Sequence, residues 1–167
     1  MERCLTALLL ATIVTACAQQ GAVPPIARKP TFDSVVMHRS ACFGPCPVYT
    51  VHIRSDGEVS FEGEQDVIAL GQHKHTVAAS ALLQLSDAIE KASFSSLKEQ
   101  YRFGPDGCTE WVTDNPTVDI IVAAGTSQHH VSYYYGRTIS VGQAIDDLSK
   151  AIDTAAGTAA WVGERAL

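Results

Sequence analysis

The residues of this sequence best suited to chemistry are its cysteines and a few polar side chains. Cys42 and Cys46 enclose the segment Phe43-Gly44-Pro45, and Pro47 follows directly. Glycine and proline at these positions favour a tight turn, which brings the two thiols close together. Two neighbouring thiols can form a disulfide, exchange with other thiols, or bind a metal ion together with other ligands.

The N-terminal segment predicts a different role for Cys17. The apolar run from Leu5 to Val14 has the length of a signal-peptide core and is shorter than the roughly 20 residues that span a bilayer. It ends in Val14-Thr15-Ala16 before Cys17, the pattern at which a bacterial lipoprotein is cleaved and lipidated. We therefore predict a signal peptide at 1–16, with lipidated Cys17 opening a flexible tether at 17–31.

The residue after Cys17 and the overall charge bear on location and partners. Ala18 occupies the position where an aspartate would favour retention in the inner membrane. We expect a lipid-anchored envelope protein of a bacterium, in the outer membrane and facing the periplasm. The alternative is an ordinary secretory signal with a chance cysteine.

Acidic and basic residues are interleaved at a net charge of −6, so no nucleic-acid-binding surface is expected. The expected partners are the membrane, through the lipid, and an envelope protein or glycan.

Three thiols remain after Cys17, and they allow two kinds of disulfide in an oxidising compartment. A Cys42–Cys46 bridge closes a small loop worth about 2 kcal/mol and needs Cα atoms within roughly 7 Å. A bridge from either residue to Cys108 closes about 65 residues and is worth about 4 kcal/mol. Stability favours the long bridge and proximity favours the short one. We prefer the short bridge, which leaves Cys108 as an odd thiol.

Metal-binding and redox roles are weighed against simpler interpretations. His73 and His75 share one face if their segment is a strand, and with cysteines they resemble a zinc ligand set. Their spacing matches no standard zinc signature, so we interpret them as surface histidines and expect no cofactor. The Cys-x-x-x-Cys spacing also differs from the redox-active Cys-x-x-Cys, and no helix is predicted after Cys46 to lower a thiol pKa. A structural disulfide is therefore preferred.

No catalytic motif is recognised in the chain. It contains no Gly-x-Ser-x-Gly motif of serine hydrolases and no His-Glu-x-x-His motif of zinc proteases. It also contains no P-loop and no glycine-rich dinucleotide-binding motif. We therefore predict a non-catalytic binding or structural module. The alternative is a thiol-redox or metal-binding envelope protein that uses the turn at Cys42 and Cys46. Two further polar candidates are Asp114, expected to cap a turn before Asn-Pro, and Arg39, expected to bind a carboxylate or a carbonyl. The sequence does not place these two together.

Periodic apolar residues predict the elements that position these groups. Alternation predicts strands, with a hairpin at Asp56-Gly57 and another around Gly125. The predicted strands cover Phe32 to Arg39, Tyr49 to Arg54, the segment around Val59 and Phe61, Gly71 to Val77, Thr117 to Ala124 and His129 to Tyr135. A helix capped by Ser80 and a second one, with Ser140 and Gln143 as a capping box, carry apolar residues at helical spacing; the second should end at Gly157.

This order of elements predicts one α+β domain over 32–163, followed by a short tail at 164–167. The short connections between strands favour antiparallel pairing. We therefore expect an antiparallel sheet built from hairpins, with the two main helices packed on one face.

The cysteine turn and several other positions resemble a bacterial family catalogued as domain of unknown function 6438. The residues that carry the resemblance are Arg39, Cys42-Phe43-Gly44, Cys46-Pro47, Tyr49, Asp56-Gly57 and Gly63, then Thr113-Asp114-Asn115-Pro116-Thr117, and a closing Gly-Thr pair with Trp161. The resemblance covers roughly Phe32 to Gly163. It implies an exported or lipid-anchored protein, and it implies no activity because none is established for the family.

Overall fold

The computed structural model describes residues 28–102, 112–137 and 139–163. The predicted signal peptide, Cys17, Cys108 and the predicted tail lie outside these residues. Within the described ranges, no helix is long and apolar enough to cross a membrane.

A seven-stranded sheet forms the centre of the fold, in the order β4-β3-β2-β1-β6-β7-β5. All neighbours pair antiparallel except β5 and β7, which are parallel. The prediction of an α+β domain with an antiparallel sheet is confirmed, whereas the two-residue strand β5 was not predicted. The strands are β1 (Ser34–Arg39), β2 (Val48–Arg54), β3 (Glu58–Gln65), β4 (Gly71–Thr76), β5 (Gln100–Tyr101), β6 (Thr117–Ala124) and β7 (Ser127–Tyr134).

The two predicted hairpins are confirmed. Between β2 and β3, Gly57 has a φ of 93°, and the Asp56 carboxylate accepts a hydrogen bond from the Glu58 N–H at 3.1 Å. A Cβ on Gly57 would lie 2.8 Å from the Val77 carbonyl oxygen, so both the turn and the close approach require glycine. Between β6 and β7, Gly125 has a φ of 58°.

Helices cover one face of the sheet because they carry apolar stripes. The helices are α1 (Ala79–Lys91), α2 (Val141–Ala156) and α3 (Ala159–Val162), and a 3-10 turn spans Phe94–Ser96. Leu82 and Leu85 of α1 and Ile145 and Ile152 of α2 are buried. They form one core with the inward side chains of the strands, which include Val35, Met37, Tyr49, Val51, Ile53, Phe61, Val118, Ile120 and Val131.

The predicted helix starts are wrong in their capping. The residue that precedes α1 is Ala78, which has no capping side chain, and Ser80 lies inside the helix. Ser140 does precede α2, but its backbone is already helical (φ −56°, ψ −32°) and its side chain makes no capping bond. A side-chain cap requires an extended backbone at that residue. Gln143 instead donates to the Asp147 carboxylate at 2.8 Å.

The predicted end of α2 is confirmed. Gly157 adopts the left-handed conformation (φ 65°), and its N–H bonds to the Asp153 and Thr154 carbonyls. The residue directly after α1 is Ala92, which is still right-handed (φ −71°), and the left-handed residue is Ser93, one position later (φ 48°).

The sheet has two distinct ends and two distinct faces. The motif end carries the connections 40–47, 66–70 and 112–116, and the entry end receives the chain through Phe32 and Asp33. The open face lies opposite α1 and α2, and none of the described helices packs on it. Polar side chains dominate this face, including His38, Thr50, His52, Ser60, Glu62, Lys74, Thr117, Asp119, His130 and Tyr134.

Candidate functional site

The cysteine motif forms a closed turn at the motif end of the sheet. Cys42 and Cys46 are joined by a disulfide, with their Cα atoms 5.7 Å apart. The Cys46 N–H also donates to the Gly44 carbonyl at 2.9 Å. Phe43 lies between the two cysteines and is 90% exposed. The turn therefore presents an aromatic ring to solvent from a covalently closed loop.

The second signature segment lies directly beside this turn. The Phe43 N–H donates to the Asp114 carbonyl at 3.0 Å. Closer to the sheet, the Ser40 N–H donates to the Thr117 carbonyl at 3.0 Å, and the Thr117 N–H donates to the Ser40 hydroxyl at 2.8 Å. Two segments more than 70 residues apart in the chain thus meet at the motif end.

Asp114 holds the turn of this second segment. Its φ is 70°, and its carboxylate accepts a hydrogen bond from the Thr113 hydroxyl at 2.8 Å. Next to it, the Asn115 N–H donates to the Tyr134 hydroxyl at 3.1 Å, and that hydroxyl donates to the Val112 carbonyl at 2.8 Å. The segment is therefore fixed to β7 as well as to the cysteine turn.

Arg39 pairs with a carboxylate, but that carboxylate belongs to Asp153 of α2 and not to Asp114. The guanidinium donates to Asp153 at 2.9 Å and to the Tyr49 hydroxyl at 2.9 Å. The Tyr49 hydroxyl in turn donates to Asp153 at 2.7 Å, and the Thr158 hydroxyl donates to the same carboxylate at 2.8 Å. The side chain of Asp153 is fully buried, and that of Arg39 is 17% exposed.

The electrostatics of this cluster keep the arginine charged and the tyrosine neutral. Burial lowers the pKa of Arg39, but the neighbouring Tyr49 and Asp153 groups raise it by more, so the net pKa lies above its ordinary value. Burial, and then the negative charge of Asp153, raise the pKa of Tyr49. Tyr49 therefore holds its proton and bridges the ion pair as both acceptor and donor. The arrangement ties β1 and β2 to the C-terminal turn of α2.

Sequence reasoning missed Asp153, although a signal was present. Asp153 follows Ile152 and lies four residues after the buried Ser149, so it falls on the apolar stripe of α2. An acidic residue at such a position is rarely buried unless it is paired. Its partner could not be identified from the sequence, because Arg39 is 114 residues away.

The two candidate metal ligands on β4 face the helices. His73 and His75 share one face, as predicted, and both stack near Trp161, with ring centroids 6.0 and 4.7 Å away. His73 also shares a hydrogen bond with the Leu70 carbonyl at 3.1 Å. Among the residues that the structure describes, no three His, Cys, Asp or Glu side chains are grouped to hold a metal ion.

Among the described residues, no helix directly follows the disulfide to activate a thiol. β2 begins at Val48, two residues after Cys46, so a strand follows where a redox motif would place a helix. The polar neighbours on the adjacent segment, Asp114 and Thr113, bond to each other. The described geometry of the motif end is therefore that of a braced loop.

No curated protein matches the chain. The family model described as "Domain of unknown function (DUF6438)" matches residues 33–156. The match includes the cysteine turn, the Asp114 segment and the Arg39–Asp153 pair, and it covers most of the resemblance seen in the sequence. The chain therefore belongs to the DUF6438 family of domains of unknown function.

Proposed function

We propose that this domain is a non-catalytic binding module of the bacterial cell envelope and that its motif end contacts a protein partner. The observation that carries the proposal is the position of the exposed hydrophobic side chains. Among the described residues, the four large hydrophobics that are mostly exposed all lie at the motif end: Phe43, Ile68, Leu70 and Val112. Exposed apolar groups gathered in one region are typical of interaction surfaces.

The way in which Phe43 is held supports this role. The disulfide closes its loop, and the Asp114 carbonyl binds its N–H. A side chain presented from a constrained loop loses less conformational entropy on binding than one on a mobile loop. Aromatic residues are also enriched among the side chains that dominate binding energy at interfaces.

Three other signature residues, unlike Phe43, are committed to internal contacts. Arg39 and Tyr49 bind Asp153, and a Cβ on Gly63 would lie 2.1 Å from the Ala69 carbonyl oxygen. This commitment supports a binding module over an enzyme, because Arg39 and Tyr49 are occupied in holding α2 on the sheet and Gly63 in the close approach of the 66–70 connection.

A lipid anchor on Cys17 would leave the motif end free to reach a partner. The chain enters the domain at the entry end, where Arg28 pairs with Asp87 and the Thr31 N–H donates to Ser86 at 3.1 Å. A lipid on Cys17 would therefore hold the domain from the entry end and direct the motif end away from the membrane. Cys17→Ala should move the full chain from the membrane fraction to the soluble fraction; membrane retention of this variant would contradict the anchor.

Site-specific crosslinking tests the contact surface. A photoreactive side chain at position 43 of the full chain, in intact cells, should give a discrete adduct. The same group at Gln128, which is exposed near the entry end, is the control. Val112→Ser should weaken the adduct at position 43. No adduct at position 43, or the same adducts at both positions, would overturn the proposal.

A further inference from the structure

A concave site lies on the open face, next to the motif end. Its volume is about 470 Å³, within the range of small-molecule sites. It is lined by Ser40, Arg102, Thr117, Asp119 and Tyr134. The lining residues come from β6, β7 and the chain just after β1 and β5, so distant segments converge on it.

Tyr134 contributes its ring to this cleft. Its hydroxyl is already committed, because it donates to the Val112 carbonyl and accepts from the Asn115 N–H. These two bonds fix the tip of the side chain. What remains for a ligand is a ring held in a fixed position, which suits contact with an apolar face.

The other lining groups offer unused donors and acceptors. Among the described residues, the Arg102 guanidinium makes no hydrogen bond or ion pair; only its backbone carbonyl is used, by Arg137. Asp119 binds His130 through one oxygen at 2.9 Å, which leaves its second oxygen available. The Thr117 hydroxyl has no partner in the described part of the chain. The cleft therefore combines the Arg102 guanidinium, a carboxylate oxygen of Asp119 and the Thr117 hydroxyl with the fixed ring of Tyr134.

We propose that this cleft binds a saccharide unit. A sugar ring combines hydroxyls that both donate and accept with an apolar C–H face. Asp119 accepts from such hydroxyls, Arg102 donates to them through its planar fork, and Tyr134 packs against the C–H face. A simple anion fits less well because it would face the Asp119 carboxylate. A purely apolar ligand would leave the Arg102 guanidinium and the second oxygen of Asp119 without partners on burial.

This inference does not rest on the proposed protein contact. Phe43 is at the tip of the motif end and does not line the cleft. Phe43→Ser should therefore leave saccharide binding unchanged, and Arg102→Gln should leave the adduct at position 43 unchanged, so the two proposals can fail separately.

The test is ligand-observed NMR with the full chain and the β-1,4-linked trimer of N-acetylglucosamine. Saturation transfer to the sugar should appear with the unmodified chain. Arg102→Gln and Asp119→Asn should each weaken binding by about tenfold, the effect of losing one good hydrogen-bonded contact. Thr117→Val, which keeps the shape of the side chain, should weaken it less. Arg54→Gln is the matched control because Arg54 is an exposed arginine at the entry end.

Two outcomes would overturn the proposal. They are no saturation transfer to the sugar, and unchanged binding in both Arg102→Gln and Asp119→Asn. Circular dichroism of each variant separates loss of binding from loss of the fold. If either charged variant fails to fold, the loss of saccharide binding in Thr117→Val tests the proposal instead.

Discussion

Two arginine–aspartate pairs in this domain have the same separation and opposite surroundings. Arg39 and Asp153 lie 2.9 Å apart, and so do Arg54 and Asp56. The first carboxylate is fully buried and receives two further hydrogen bonds, from the hydroxyls of Tyr49 and Thr158. The second pair is more than half exposed on both sides.

The difference shows that distance alone does not indicate what an ion pair contributes. An exposed pair gains little because water screens it, whereas breaking a buried pair leaves an uncompensated charge away from water. The buried pair also connects elements far apart in the chain, while the exposed pair connects neighbours in one turn. Substitutions at Asp153 and Tyr49 test this contrast directly.

The largest effect is expected from Asp153→Asn. This change keeps the volume of the side chain and removes the charge that balances Arg39. Because Arg39 is slightly exposed, we expect a loss in the free energy of unfolding near the lower end for buried pairs, about 3 kcal/mol. Urea unfolding measures it. Asp56→Asn is the control and should leave the unfolding midpoint unchanged. Equal losses in the two variants would remove the contrast.

The next largest effect is expected at the cysteine turn. The double change Cys42→Ser and Cys46→Ser opens the short loop and should cost about 2 kcal/mol by the chain-entropy relation. Thermal unfolding of the two proteins measures the loss. Reduction of the unmodified chain should give a similar loss, and no change upon either treatment would show that the turn is held by its backbone bonds alone.

A smaller effect is expected from Tyr49→Phe, which removes the hydroxyl that bridges Arg39 and Asp153. The loss should be about 1.5 kcal/mol, as for a hydrogen bond to a charged group. The pKa of Tyr49 is raised by burial and then by Asp153, from an ordinary value of 10.0. Above about pH 10 an unfolded Tyr49 ionises while the folded one keeps its proton, so stability falls as the pH rises. That fall should be shallower in Tyr49→Phe; identical pH profiles would contradict the assigned role.

The smallest effect is expected from Phe43→Ser. Since Phe43 is 90% exposed, its removal should change the free energy of unfolding by less than about 0.5 kcal/mol. Urea unfolding beside the cysteine variants measures it. A large loss would show that the ring packs in the domain rather than serving a partner.

Much of the fold could be predicted from the sequence because its signals are local. Alternation in β2 and β6, the Asp56-Gly57 turn and Gly157 after α2 each depend on a few neighbouring residues, and the structure confirms them. The strand β5 was missed because two residues carry no pattern. The caps at Ser80 and Ser140 failed because the backbone at each helix start is set by the chain that leads into it.

The candidate site could be predicted only in part. The proximity of Cys42 and Cys46 followed from their spacing, and the structure joins them. The bond between Phe43 and Asp114 and the pair of Arg39 with Asp153 did not follow, because each spans a long separation in the chain.

The sequence by itself determined the family, the class of fold and the tight turn that carries the cysteines, since each of these depends on residue types at short range. Only the tertiary structure decided which carboxylate neutralises Arg39 and which loop braces the cysteine turn. It also decided that the exposed hydrophobic side chains gather at one end. The physical reason is that the order of strands in the sheet places β1 beside both β2 and β6, and this order brings together side chains that no local pattern relates.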